Sequence, residues 1–243
     1  MASYAPIPLG NGKFCYSGPK CKKHGRKTSI FRSVQDVFSK IEKDFPSKIE
    51  VSAGFTTVEF NTIAKAHFDS LNPKEKWAFH SYSDRAGSIR VNRMLEAKAT
   101  LTPEMQQQVV NLDSAISKYS RPIEQELFRG SGHTPEEWVN LSSGNIIEMN
   151  SFVSTSASPT KAMEFAKVNS EPLLLRITTS TGAPIQSGDD EYEFLLPRGQ
   201  KYQVVSFEKN VEVNATQPVY SDRFPADKKR SYKNVNVLTL RSI

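Results

Sequence analysis

The sequence predicts an α+β fold in which helices come first and strands follow. Two patterns carry this prediction. Between residues 31 and 120, apolar side chains recur at helical spacing, as in Val34, Val37, Phe38 and Ile41. After Pro122 that spacing gives way to short apolar runs bounded by glycine, proline and polar clusters, which read as strands. Helices followed by strands argue against the alternating β-α order of a doubly wound sheet.

The helical part divides at recognisable stops and starts. Phe60, Ile63, Ala64 and Ala66-His67-Phe68 continue the helical spacing. Asn72 is a suitable N-cap and Pro73 a suitable first residue for the next helix, which carries Trp77, Phe79 and Tyr82. Asp84-Arg85-Ala86-Gly87 breaks the pattern, and Ile89 to Leu95 resumes it. Thr102-Pro103-Glu104 opens a further helix with Met105, Val109, Leu112 and Ile116 on one face. Strands are expected at Glu126–Gly130, Ile146–Met149, Ser151–Ser156, Leu173–Ile177, Tyr192–Leu196, Tyr202–Phe207 and Val235–Leu240. A short helix is expected from Pro159 to Ala166, and residues 208–234 read as a long basic loop.

The chain has 243 residues, which suits one large domain with an appendage. We assign residues 1–30 to a basic, flexible tail and residues 31–243 to the main domain. Hydrophobic residues make up 37% and aromatic residues 10%, so a packed core is feasible and general disorder is excluded. The net charge of +6 fits acidic protein surfaces, nucleic acid or an anionic ligand. No run approaches the ~20 apolar residues of a membrane span. The N-terminus lacks the charged-then-apolar order of a secretory signal. The two cysteines, Cys15 and Cys21, cannot form a disulfide framework. With His24 they make three candidate metal ligands, one short of a tetrahedral structural zinc site.

Three places carry candidate chemistry. Arg129 ends a strand beside Gly130; a guanidinium grips phosphate through parallel hydrogen bonds, and glycine permits close approach of a ligand. Ser154-Thr155-Ser156 ends another strand with hydroxyls able to orient a neighbouring carboxylate. Glu191-Tyr192-Glu193 enters the run Phe194-Leu195-Leu196 from a polar turn. In a strand, side chains alternate, so both glutamates are expected on one face. Paired carboxylates suit acid/base work or stabilisation of a cation.

In this order the three motifs resemble the arginine-serine-glutamate class of mono-ADP-ribosyltransferases. The similarity covers about residues 55–208. It takes in Tyr82, the break after it, Val91-Asn92-Arg93-Met94-Leu95, and Leu112-Asp113-Ser114-Ala115-Ile116-Ser117-Lys118, as well as Phe165 and Leu196-Pro197-Arg198-Gly199. The clade with binary actin-modifying toxins is the most similar. Two departures stand out: Tyr82-Ser83 replaces the usual Tyr-Thr, and Lys167 follows Phe165 where some members have a phosphate-binding arginine.

The resemblance implies two packed, mostly antiparallel sheets behind the helices. It implies NAD as co-substrate with no metal, and transfer of ADP-ribose to an arginine of a target protein. Glu193 would stabilise the oxocarbenium-like ribose, and Ser154 would hold Glu193. Arg129 would bind the pyrophosphate, and the Gly130 backbone the nicotinamide amide. Thr155 and Ser156 would support the strand end, and Phe165 would pack on the nicotinamide ring. Tyr82 and Asn92 would lie beside the cofactor's phosphate and ribose. Glu191 would orient the acceptor guanidinium, with Tyr192 beside it in a mobile loop that includes Gly188-Asp189-Asp190. The setting implied is a toxin, an effector or a phage host-modifying enzyme, acting as a monomer in host cytoplasm or exported by a non-classical route. Two rivals remain at this level: a transferase acting on nucleic acid through the basic segments, and a non-enzymatic binding protein whose basic tail is its functional part.

Overall fold

The computed structural model describes residues 6–10, 13–16, 47–123, 125–166, 171–186, 191–218 and 229–243. The chain forms two compact units, residues 1–47 and 48–243. In the first, β1 (Pro6–Gly10) and β2 (Lys13–Tyr16) form an antiparallel hairpin. It falls within the stretch whose composition marks a tail. Cys15 lies on β2, whereas Cys21, His24 and the expected helix from Val34 to Ile41 lie outside the described residues.

The second unit opens with β3 (Lys48–Val51) and four helices: α1 (Thr57–Ser70), α2 (Pro73–Ser83), α3 (Arg85–Glu96) and α4 (Pro103–Ser117). Their starts are fixed by side chains that satisfy the free N–H groups of a first turn. Thr56 with Glu59, and Asn72 with Glu75, form capping boxes, while Thr102 caps α4. The break expected after Tyr82 is a single residue, Asp84, which caps α3. Gly87 is needed there because a β-carbon would lie 1.9 Å from the Ser81 carbonyl oxygen. Phe79, Tyr82, Val91, Leu112 and Ile116 bury against one another and against Phe152, Ile185 and Leu195 of the strand region. Burying each large apolar side chain contributes about 1.5–3 kcal/mol. Glu75 adds a polar tie: its carboxylate accepts hydrogen bonds from Ser114 Oγ and Lys118 Nζ, linking α2 to the end of α4.

The strands are β4 (Leu127–Ser131), β5 (Ile146–Met149), β6 (Val153–Ser156), β7 (Leu173–Thr178), β8 (Ala183–Pro184), β9 (Glu193–Leu196), β10 (Gln200–Thr216) and β11 (Lys229–Ser242). With β3 they run in the order β3-β10-β11-β7-β4-β6-β9-β8, and β5 pairs with β10. All pairs are antiparallel except β3 with β10 and β7 with β11. The expected two-part strand layer is present as two groups joined at one residue pair, Phe128 with Ser156 between β4 and β6. Both groups supply one core, with Leu127, Leu175 and Leu238 from one side, Val153, Phe194 and Leu196 from the other, and Phe60 from α1.

The expected basic loop at 208–234 is a correction. Residues up to Thr216 extend β10, and β11 begins at Lys229. The exposed side chains of this long ribbon hid its strand pattern. Alternate inward positions, Val211, Val213, Val235 and Val237, are buried against Met163 of α5 (Pro159–Ala166).

Candidate active site

The site arises where the sheet opens. Strands β4 and β6 share a single pair, so beyond it their backbones separate and a cleft of about 160 Å³ forms. Arg129 stands on one side. Its Nη1 donates to the Ser154 carbonyl oxygen at 2.7 Å, bridging the gap that the ladder no longer closes. Arg129, Gly130, Ser154, Thr155, Ser156, Phe165, Glu191 and Glu193 all line this cleft. The fold therefore brings together residues from four separate segments of the chain.

Glu193 is the first residue of β9 and pairs with Ser156. It is buried, and desolvation raises its carboxyl to about 7. The Ser154 hydroxyl donates a hydrogen bond that opposes this rise, the negative charge of Glu191 adds to it, and the Arg129 guanidinium opposes it. Such a group is poised to change protonation near neutral pH, and its charge acts strongly because little water screens it.

Behind Ser154 lies a supporting chain. Asn92 Nδ2 donates to the Tyr82 hydroxyl at 2.9 Å and to the Phe152 carbonyl at 3.0 Å, and Tyr82 in turn hydrogen-bonds Ser154. Tyr82 is 1% exposed and its ring meets Phe152 edge-on. The Tyr82 ring belongs to the helical core, and its hydroxyl reaches the site from behind Ser154.

Thr155 Oγ1 donates to the Phe194 carbonyl at 2.8 Å, and Ser156 Oγ donates to the Glu191 carbonyl at 2.5 Å. These two hydroxyls hold the neighbouring strand and the turn before it. Phe165, on α5, is 54% exposed at the cleft. Core packing therefore does not account for this ring, and a flat ligand can lie against it. Gly130 has a packing role besides its place in the cleft. A β-carbon there would meet the Ala162 carbonyl oxygen at 1.7 Å, so only glycine lets α5 sit on β4. Lys167 and Gly188-Asp189-Asp190 lie outside the described residues.

The glutamate pair departs from the expected strand alternation. Strand β9 begins at Glu193, and Tyr192 has φ of +51°, in the left-handed region. Glu191 therefore reaches the cleft from a turn and not from the same strand face. Tyr192, expected beside the acceptor, is 9% exposed, packed edge-on against Phe60, and its hydroxyl pairs with Thr57 Oγ1 at 2.8 Å. Sequence reasoning missed Thr57, since nothing local links it to a residue 135 positions away.

A buried carboxylate, a guanidinium and an exposed aromatic ring around one cleft suit a ligand that is anionic at one end and develops positive charge at the other. Residues 58–224 match the ADP-ribosyltransferase exoenzyme family, and the chain belongs to that family. It is accordingly an ADP-ribosyltransferase of the toxin-like class, an activity that draws ADP-ribose from NAD. No curated protein matches the sequence. Solved structures with a similar fold include the ADP-ribosyltransferase Vis in complex with agmatine (18% identity, TM-score 0.55, covering 77% of this chain and 86% of that one); Vis is a toxin of Vibrio splendidus. Another is the enzymatic component C2-I of the Clostridium botulinum C2 toxin (17% identity, TM-score 0.53, 79% of this chain and 48% of that one). A third is C3stau2 from S. aureus with NAD (22% identity, TM-score 0.55, 80% and 99%).

Proposed function

We propose that the protein transfers ADP-ribose from NAD to the guanidinium of an arginine on a target protein. The bond between ribose C1′ and the nicotinamide nitrogen breaks, and its electron pair leaves with nicotinamide. The ribose becomes oxocarbenium-like, and an arginine nitrogen bonds to C1′ and then releases a proton. Ionised Glu193 stabilises the cationic ribose, and Ser154 holds that carboxylate. Arg129 neutralises the pyrophosphate, and Phe165 lies on the nicotinamide ring. Glu191 aligns the incoming guanidinium by a carboxylate pair.

One observation carries the acceptor reading. A second carboxylate, Glu191, opens onto the same cleft as Glu193 but from a separately held turn. Its negative charge suits a cationic acceptor, and the resemblance in the motif, where a glutamate at this position goes with arginine, supports the same choice. Agmatine, which Vis binds, carries the guanidinium of arginine.

The nucleic-acid alternative gains no support from the ribbon formed by β10 and β11. Two of its cations are matched by acids, Lys229 with Glu50 and Arg230 with Glu164, and its Glu212 pairs with Lys48 of β3. Among the described residues, no helix is long and apolar enough to cross a membrane. We place the enzyme among toxins, effectors or phage host-modifying proteins that meet their target in a host cell. The test is incubation with labelled NAD and separate pools of host protein and nucleic acid, followed by mass spectrometry of the modified site. Label on protein arginine supports the proposal; label on nucleic acid, or on another side chain, overturns it.

A further inference from the structure

We infer that Thr57 and Tyr192 form a positioning anchor for the acceptor step, fixing the turn that carries Glu191 independently of Glu193. The inference rests on the reading of Glu191 as the acceptor-binding carboxylate. Thr57 is the first residue of α1, a position made rigid by the capping box of Thr56 and Glu59. Its hydroxyl pairs with the Tyr192 hydroxyl at 2.8 Å. Phe60, one turn further along α1, packs edge-on against the Tyr192 ring with centroids 5.6 Å apart. Helix α1 therefore holds the Tyr192 side chain by both its ring and its hydroxyl.

The backbone of the turn has its own ties. Ala157 N donates to the Tyr192 carbonyl at 2.9 Å, and Ser156 Oγ donates to the Glu191 carbonyl at 2.5 Å. These ties keep Tyr192 in a left-handed conformation that residues other than glycine seldom adopt. That conformation turns the chain so that the Tyr192 side chain enters the core while Glu191 stays at the cleft. Glu193 is held differently: its carbonyl accepts from Ile185 N at 2.8 Å, and its residue pairs with Ser156 in the ladder. The two carboxylates thus share Ser156, but the Thr57–Tyr192 contact and the Ala157 hydrogen bond bear on the Glu191 side and the Ile185 hydrogen bond on the Glu193 side. Loosening the Thr57–Tyr192 contact misplaces the acceptor carboxylate without moving the group that acts on NAD.

The experiment uses the full chain with Thr57→Val and Tyr192→Phe, singly and together, and Thr57→Ser as the variant that keeps the hydroxyl. Two readouts are taken: amide hydrogen exchange at Ala157 and Ile185, and the ratio of agmatine modification to NAD hydrolysis. Losing one neutral hydrogen bond is expected to speed exchange at Ala157 about fivefold and to lower the ratio about fivefold. Exchange at Ile185 and the rate of NAD hydrolysis stay within about twofold of wild type, since no tie to Glu193 is touched. The double variant is no worse than either single one, because both remove the same bond, and Thr57→Ser retains wild-type values. Unchanged exchange at Ala157, an equal fall in transfer and hydrolysis, or additive effects in the double variant overturns the anchor. A wild-type enzyme that hydrolyses NAD but leaves agmatine unmodified overturns the arginine reading instead, and exchange at Ala157 and Ile185 still decides the anchor.

Discussion

Glu193→Gln separates stability from function at one atom pair. The substitution keeps the shape of the side chain and an oxygen to accept from Ser154, but removes the charge. In the folded protein burial lifts the Glu193 carboxyl to about 7, against 4.5 for the ordinary group. Below pH 4.5 the carboxyl is protonated in both folded and unfolded chains, so it makes no pH-dependent contribution. Between 4.5 and 7 the folded chain keeps a proton that the unfolded chain has lost, so stability falls as pH rises. Above 7 the full cost applies, about 3 kcal/mol at ~1.4 kcal/mol per pH unit. The glutamine variant is free of this cost. Its stability relative to wild type therefore rises by about 3 kcal/mol between pH 4 and pH 8.5. Urea unfolding of both proteins at several pH values measures the difference, and groups shared by the two cancel. The same variant is expected to have no NAD turnover. A stability difference that stays constant from pH 4 to 8.5 would refute the claim that Glu193 carries a strained buried charge.

Other outcomes follow from the same geometry. The kcat/KM for NAD should rise with pH through a midpoint near 7, because it reports the free enzyme and Glu193 must ionise to act; a flat profile from pH 5 to 9 rules this out. Glu191→Gln should keep NAD hydrolysis, abolish agmatine modification, and move that midpoint down, since the Glu191 charge helps to hold the Glu193 carboxyl up. Full transfer by this variant contradicts the acceptor role. Gly130→Ala should destabilise the protein by about 1–3 kcal/mol through collision with the Ala162 carbonyl, seen as a lowered urea midpoint. Burial holds the His67 imidazole below its ordinary 6.5, so its stabilising effect is present above 6.5 and is lost as pH falls below it. His67→Phe should flatten that acid limb in the same unfolding assay.

Much of this was legible in local sequence. Asn72 with Pro73 and Thr102 with Pro103 announce helix starts because capping is decided within four residues. Arg129, Ser154 and Glu193 stand out in the sequence as polar residues within short apolar runs, although only Glu193 ends its strand, whereas Arg129 is the middle residue of β4 and Ser154 lies inside β6. The ribbon of β10 and β11 was less legible. Its outward positions are exposed and charged, so the alternation is visible only once its inner valines have a partner surface. Glu191 and Glu193 line one cleft, and a left-handed residue between them, not strand alternation, sets their relation.

Local sequence specifies the order of helices and strands and the α+β class, because propensity, capping and period act over short spans. Tertiary structure alone decided the opening between β4 and β6, the burial that lifts the Glu193 carboxyl, and the inward turn of Tyr192. Each depends on contact between segments far apart in the chain. Desolvation and strand divergence are properties of what surrounds a residue, and no local pattern encodes those surroundings.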